Sequence, residues 1–200
     1  GFDFYDPPDS SALERAERLL TALGAFGADG SLTAIGRRLR QLPIAPRIGR
    51  ALVAAEQRGL LDQALWLAAI LSERHETRAG GHGAADALAA LEALTRDTST
   101  REARHLTRLA KQLGRSMGTS PAPLSTRWDV DGLCESLFWG WSDRLCRRPS
   151  MQRSELVMVG GRGATLDPKS VVQADEFLLG VDVDAGRRGE RSRSRVRSAV

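Results

Sequence analysis

Positive charge is concentrated in one short stretch of the chain, residues 32–52, with the sequence LTAIGRRLRQLPIAPRIGRAL. Guanidinium groups bind phosphates through two parallel hydrogen bonds, so this stretch could hold the backbone of a nucleic acid. The alternative is the solvated side of a helix that starts at Ala34 and buries its apolar positions. The arginines in question are Arg37, Arg38, Arg40, Arg47 and Arg50.

Arg47 has an unusual predicted position within this stretch. Pro43 and Pro46 bracket a turn, and the second proline suits the first turn of the helix that follows. A cation at a helix start opposes the helix dipole, at a cost of roughly 0.3 kcal/mol or more. The position therefore predicts a partner for Arg47, either a carboxylate or a phosphate.

Two further patterns could indicate chemistry near the end of the chain. The segment GGRGATL, residues 160–166, lacks the Lys-Ser/Thr pair of a phosphate-binding loop, so we interpret it as a glycine turn or bulge with Arg162 at its tip. Asp182 and Asp184 share one face of a predicted strand. A catalytic carboxylate pair is conceivable there, but a solvated strand face is the favoured interpretation. The sequence predicts no catalytic residue.

The basic tail GRRGERSRSRVRSAV, residues 186–200, has two interpretations. A disordered arm would bind polyanions through counterion release. A strand would place Arg191, Arg193, Arg195 and Arg197 on one face. We favour the strand, because Val196 and Val200 give it side chains to bury.

The overall composition is that of a globular protein with a mild preference for anionic partners. Of its 200 residues, 42% are hydrophobic and 27% charged, and the formal net charge is +4. Cys134 and Cys146 are predicted on one helix, roughly 18 Å apart, which is too far for a disulfide. The three histidines show no metal-ligand spacing. Without a signal peptide or a long apolar run, the chain is expected to be cytoplasmic, with no membrane partner.

Elements of a winged-helix-like unit are predicted in residues 1–59, after a linker. A helix ends at Gly24, Asp29-Gly30 favours a tight hairpin between Phe26 and Leu32, and two helices follow. A helical bundle is predicted over residues 60–148. Its last helix repeats apolar residues every four positions, at Leu133, Leu137, Trp141 and Leu145.

A β-domain is predicted over residues 149–200, so the expected fold class is mainly α with a C-terminal β part. The predicted strands lie in ELVMVGGRGATL, EFLLGVDVD and RSRSRVRSAV. Three strands make a marginal sheet, so we expect this domain to be partial and its sheet incomplete.

The chain resembles a known family at several quoted segments. FDFYDPP, LGAFGADGSLTAIGRRLRQLPIAPRI and AAILSER resemble the helicase-associated region that follows the second RecA-like domain of DEAH-box helicases. SDRLCRR, GGRGATL and EFLLGVDVD are similar to the bacterial HrpB branch of that family.

The resemblance implies a winged helix, a ratchet-like bundle and an OB-like barrel whose strands continue beyond Val200. It also implies RecA-like motor domains and single-stranded RNA, or DNA, as partners. The chain has neither a Walker A sequence nor an Asp-Glu-Ala-His box, so ATP and Mg²⁺ would be bound by the motor domains alone. The expected strand contacts are Arg162, Arg193, Arg195 and Arg197, with Arg37, Arg38 and Arg47 behind them.

Two rival functions remain open on the sequence. A stand-alone winged-helix protein would read duplex DNA through a helix over AIGRRLRQL, where arginine and Gln41 could meet base edges. A protein-interaction scaffold would leave all these arginines solvated.

Overall fold

A computed structural model describes residue 5 and residues 8–76, 87–124, 127–184 and 194–200. The described part is helical up to residue 141 and mainly β beyond it, which confirms the predicted fold class. The helices are α1 (Ser10–Ala22), α2 (Ala34–Arg40), α3 (Pro46–Gln57), α4 (Leu61–Glu76), α5 (Ala87–Arg96), α6 (Arg101–Met117) and α7 (Val130–Trp141).

A tight hairpin separates α1 from α2, as predicted. Phe26 bridges Leu32, and Gly30 at the tip has φ of 76°, a conformation that glycine adopts without steric cost. The Thr33 hydroxyl then accepts a 3.0 Å hydrogen bond from the Gly36 N–H and caps α2. These elements form the winged-helix unit.

The helical bundle is built around α3, α4 and α7, with α5 and α6 packed on α4. Helices α3 and α7 approach closely at Gly140, where an added Cβ would lie 2.4 Å from the Arg47 carbonyl oxygen. The largest fully buried side chains of this core are Ile48, Leu52, Leu65, Leu67, Leu91 and Leu133.

Five strands close into a small OB-like barrel with the order β1-β2-β3-β5-β4. All neighbours are antiparallel except β3 and β5, which run parallel. The prediction of three strands in an incomplete sheet was therefore wrong. The strands are β1 (Leu145–Arg147), β2 (Glu155–Met158), β3 (Gly163–Leu166), β4 (Phe177–Asp184) and β5 (Ser194–Ala199).

The predicted strand ELVMVGGRGATL is two strands, β2 and β3, and sequence reasoning missed β1 entirely, because its residues continue the apolar repeat of the preceding helix. Helix α7 ends at Trp141, and a single 3-10 turn over Ser142–Arg144 leads into β1. Cys146 therefore lies inside the barrel rather than on the helix of Cys134, and both thiols are free. Burial raises the pKa of Cys146 to about 11.

The barrel shares its core with the bundle through β4. Leu179 and Val181 point out of the barrel into the helical core, and the Trp141 indole N–H donates to the Val181 carbonyl at 3.1 Å. Leu145 packs against the same core from β1. In the described residues no helix is both long and apolar enough to cross a membrane.

Candidate nucleic-acid interface

Arg37 and Arg38 lie on α2, and both are held by neighbours. The Arg37 guanidinium donates to the Leu32 carbonyl at 2.8 Å and remains exposed. Arg38 pairs with Glu56 of α3 at 2.9 Å, which partly neutralises its charge. Of the two, Arg37 offers more free positive charge to a ligand.

Arg47 forms an ion pair within the protein. Its guanidinium donates to both carboxylate oxygens of Asp143, at 2.6 and 2.8 Å, and to the Gly140 carbonyl at 2.9 Å. Its side chain is only 14% exposed. Of the two partners that the sequence predicted for Arg47, the structure therefore supplies the carboxylate. The interaction joins the start of α3 to the end of α7.

The electrostatics of Asp143 follow from this pair. Burial alone would raise the pKa of the Asp143 carboxyl. The hydrogen bonds and charge of Arg47, with the charge of Arg144, outweigh burial and hold that pKa below its usual value. Asp143 is thus a carboxylate at neutral pH, and the pair is charged on both sides.

The remaining predicted arginines lie on the barrel. Arg162 is exposed at the tip of the β2–β3 hairpin, next to Gly160 and Gly161, whose φ values are 82° and 76°. This confirms the predicted glycine turn. The segment leads into strand β3 and not into the helix that follows a phosphate-binding loop.

Arg195 and Arg197 project outward from β5 on either side of buried Val196, as expected for a strand. Arg195 pairs with Thr165 of β3, and Thr165 follows Arg162 by three residues. Arg162 and Arg195 are therefore separated by roughly 10 Å along the strand direction. Arg197 pairs with Asp184 of β4. Arg193 lies outside the described residues.

Sequence reasoning did not single out the environment of Arg50. This residue is 5% exposed, and its Nε donates to the Leu23 carbonyl at 3.0 Å. Its guanidinium carbon lies 4.8 Å from the ring centre of Trp139, a cation–π distance. The role of Arg50 is therefore to connect α1, α3 and α7.

A second feature missed from the sequence is the outer face of α6. It carries five exposed basic side chains, which we call the α6 stripe. The signal was present as a spacing of three and four residues, opposite the buried positions. The stripe consists of Arg101, Arg104, Arg108, Lys111 and Arg115.

Comparison with known families and proteins accounts for this architecture. Residues 16–44 match the family "Helicase associated domain (HA2), winged-helix", and residues 45–114 match "Helicase associated domain (HA2), ratchet-like". ATP-dependent RNA helicase DHX33 of Drosophila melanogaster is 38% identical over 76 residues, which cover 37% of this chain and 11% of that protein.

Two solved structures of Escherichia coli HrpB, titled a DExH-box NTPase and a DEAH/RHA helicase, superpose on 98% of this chain and on 22% of their own length. Their TM-scores are 0.72 and 0.70, at 24% and 22% sequence identity. The family matches identify residues 16–114 as a helicase-associated accessory region of the DEAH-box helicase type. The fold of the chain, barrel included, is similar to that of E. coli HrpB.

Proposed function

We propose that this chain is the accessory region of an HrpB-type ATP-dependent RNA helicase, which packs on RecA-like motor domains and guides single-stranded nucleic acid. The observation that carries the proposal is the order of winged helix, ratchet-like bundle and barrel, matched over 98% of the chain. The chain spans 11% of its curated relative and 22% of the solved structures, so the motor activity belongs to segments outside this sequence.

The division of labour follows from the residues present. The sequence contains no Walker A or Asp-Glu-Ala-His motif, so ATP and Mg²⁺ would be bound by the motor domains and no catalytic residue is assigned here. Backbone contacts that position a strand need only fixed cations, which arginine supplies.

Packing on the motor domains is assigned to the apolar face of α1. This helix has its apolar residues on one side, yet none of its side chains is buried, and Leu13 is 46% exposed. Leu19 and Leu20 are only half-buried. An amphipathic helix with an uncovered apolar face suits a neighbouring domain of the same polypeptide.

Contact with the strand is assigned first to Arg162, Arg195, Arg197 and Arg193. Arg162 and Arg195 are exposed on one sector of the barrel, which supports their assignment. Arg37 and Arg38 come second. Arg47 would bind a phosphate only if its ion pair with Asp143 were broken. We therefore expect Arg47 to support binding indirectly, by holding the start of α3 against the end of α7.

The proposal is tested by fluorescence anisotropy with a labelled single-stranded RNA and a DNA duplex across a salt series. We expect preference for the single strand, with log affinity falling by about 0.7 per phosphate contact for each log unit of salt. Tighter, sequence-dependent binding to the duplex would favour a DNA-reading winged helix. If the chain binds neither nucleic acid, the protein-interaction scaffold becomes the favoured function.

Charge reversal of Arg193 and Arg195 together tests the barrel assignment. We expect weaker RNA binding with an unchanged melting temperature, because Arg195 is exposed and outside the core. A lowered melting temperature would make these arginines structural.

A further inference from the structure

Helix α6 carries a local excess of positive charge. Of the 29 basic and 25 acidic residues of the chain, α6 holds five of the former and one of the latter. Residues 32–52 and 186–200 are also rich in arginine, but Arg38, Arg47 and Arg197 of those segments pair with carboxylates. Helix α6 differs from them because its five basic side chains are all exposed on one face.

The five cations of the α6 stripe point in one direction. At 100° per residue they fall within a sector of about 80°. The buried positions Ala103, Leu106, Ala110, Leu113 and Met117 lie on the opposite side of the helix. From Arg101 to Arg115 the stripe is about 21 Å long. The stripe is therefore a straight row of positively charged side chains on the protein surface.

Within the described residues, the α6 stripe has no internal partner: none of its five side chains forms an ion pair or a side-chain hydrogen bond there. Neighbouring cations at three and four residues repel each other, by about 0.2–0.5 kcal/mol for each pair. Arg101 and Arg104 also lie in the first turn of α6, where the helix dipole is unfavourable for a cation.

Other exposed helix faces of this chain are built differently. On α1, Arg18 pairs with Glu14, and on α5, Arg96 pairs with Glu92, each one turn apart. Such alternation of sign is the usual composition of a solvated surface. Only one acid, Glu102, lies on α6, and it falls outside the sector of the stripe.

We propose that the α6 stripe is a binding surface for the sugar–phosphate backbone of a nucleic acid, held without sequence recognition. This inference deepens the proposed function and rests on it. Four of the five cations are arginines, whose planar forks match phosphate oxygens. Exposed Gln112 borders the stripe, and the stripe itself contains only cations. With no apolar residue between the cations to seat a protein, the chemistry favours phosphate over an acidic protein face.

The first test neutralises the middle of the stripe. The variant R104Q/R108Q/K111Q is compared with R15Q/R18Q/R96Q, which removes three exposed cations from α1 and α5. Glutamine keeps the helix propensity, and all six positions are exposed, so both variants fold. The probe is a labelled single-stranded RNA, measured by anisotropy across a salt series.

We expect the stripe variant to bind at least about tenfold more weakly at low salt, with a salt slope shallower by about 2. The control variant stays within about twofold of the wild type. If both variants bind like the wild type, the α6 assignment fails and the proposed function survives. If the wild type itself binds no RNA, strand guiding by this chain fails together with the inference.

The second test locates the bound strand. Lys111 in the stripe and Lys169 on the barrel are the only lysines of the chain, and both are exposed. Amine acylation followed by mass spectrometry therefore reports two side-chain positions. Saturating RNA should slow acylation of Lys111 several-fold. Protection of Lys169 alone would place the strand on the barrel and overturn the inference, and equal protection of Lys111 by polyglutamate would favour an acidic protein instead.

Discussion

Helices α3 and α6 both carry several arginines, and they use them in opposite ways. On α3, Arg47 and Arg50 point into the protein, where Asp143 and the Leu23 carbonyl accept their hydrogen bonds. On α6, the cations of the stripe face outward without partners among the described residues.

The difference shows that arginine density in a sequence does not by itself indicate a binding surface. The stretch that was richest in arginine supplies two of its cations to the internal joints of the fold. The helix with fewer obvious motifs carries the exposed row of cations. Burial and partner decide between these roles, and only the structure shows them.

The largest expected effect comes from breaking the joint that α3 makes with α7. Gly140→Ala should lower the free energy of unfolding by about 3 kcal/mol, because the new Cβ would lie 2.4 Å from a backbone oxygen of α3. Urea denaturation measures it. The control is Gly163→Ala, where a Cβ meets nothing within 4 Å. Equal stability of the two variants would mean that the helices separate at no cost.

A smaller loss is expected when the internal arginine loses its partner. Asp143→Asn should lower the free energy of unfolding by about 2 kcal/mol at pH 7, because two charge-assisted hydrogen bonds from a largely buried guanidinium lose their anion. Urea denaturation again gives the value. A loss of less than about 0.5 kcal/mol would mean that the Arg47–Asp143 pair stabilises the fold no more than an exposed surface ion pair does.

The same pair predicts a pH dependence with a defined sign. The pKa of Asp143 is lowered by folding, so its contribution to stability is complete above the unfolded pKa, near 4. It is lost as pH falls toward the folded pKa. The stability advantage of the wild type over Asp143→Asn should therefore shrink as pH is lowered from 6 to 2. An advantage that is constant with pH would exclude the carboxylate as its source.

The smallest expected effect has the opposite sign and lies on α6. Arg108→Gln removes repulsion with Arg104 and Lys111, so the free energy of unfolding should rise by about 0.4 kcal/mol at low salt. Melting curves at low and high salt test this, since screening should erase the gain. A destabilised variant would show that Arg108 has a partner in the fold.

The helical half was largely predictable because its signals are local. The Asp29-Gly30 hairpin and the apolar periods all act within a few residues, and the structure confirms them. The end of α7 was mispredicted for a physical reason. Leu145 continues the four-residue repeat and still contacts the helical core, but it does so from a strand.

Barrel closure and the partner of Arg47 could not be predicted from the sequence. Closure depends on β1 bridging β2 and β4, and on parallel pairing of β3 with β5. The Arg47–Asp143 pair joins residues 96 positions apart. Neither contact leaves a pattern in the local sequence. The α6 stripe was visible as a spacing, but the absence of partners that gives it meaning required the structure.

The position of β4 in two cores has a mechanical consequence. Leu179 and Val181 belong to the bundle core while their strand belongs to the barrel, so a pull on the barrel is transmitted to α7 through close-packed side chains. From α7 it passes at Gly140 and Asp143 into α3 of the helical bundle. The barrel and the helical bundle would therefore move together as one mechanical unit, and a force applied to the barrel would reach α3.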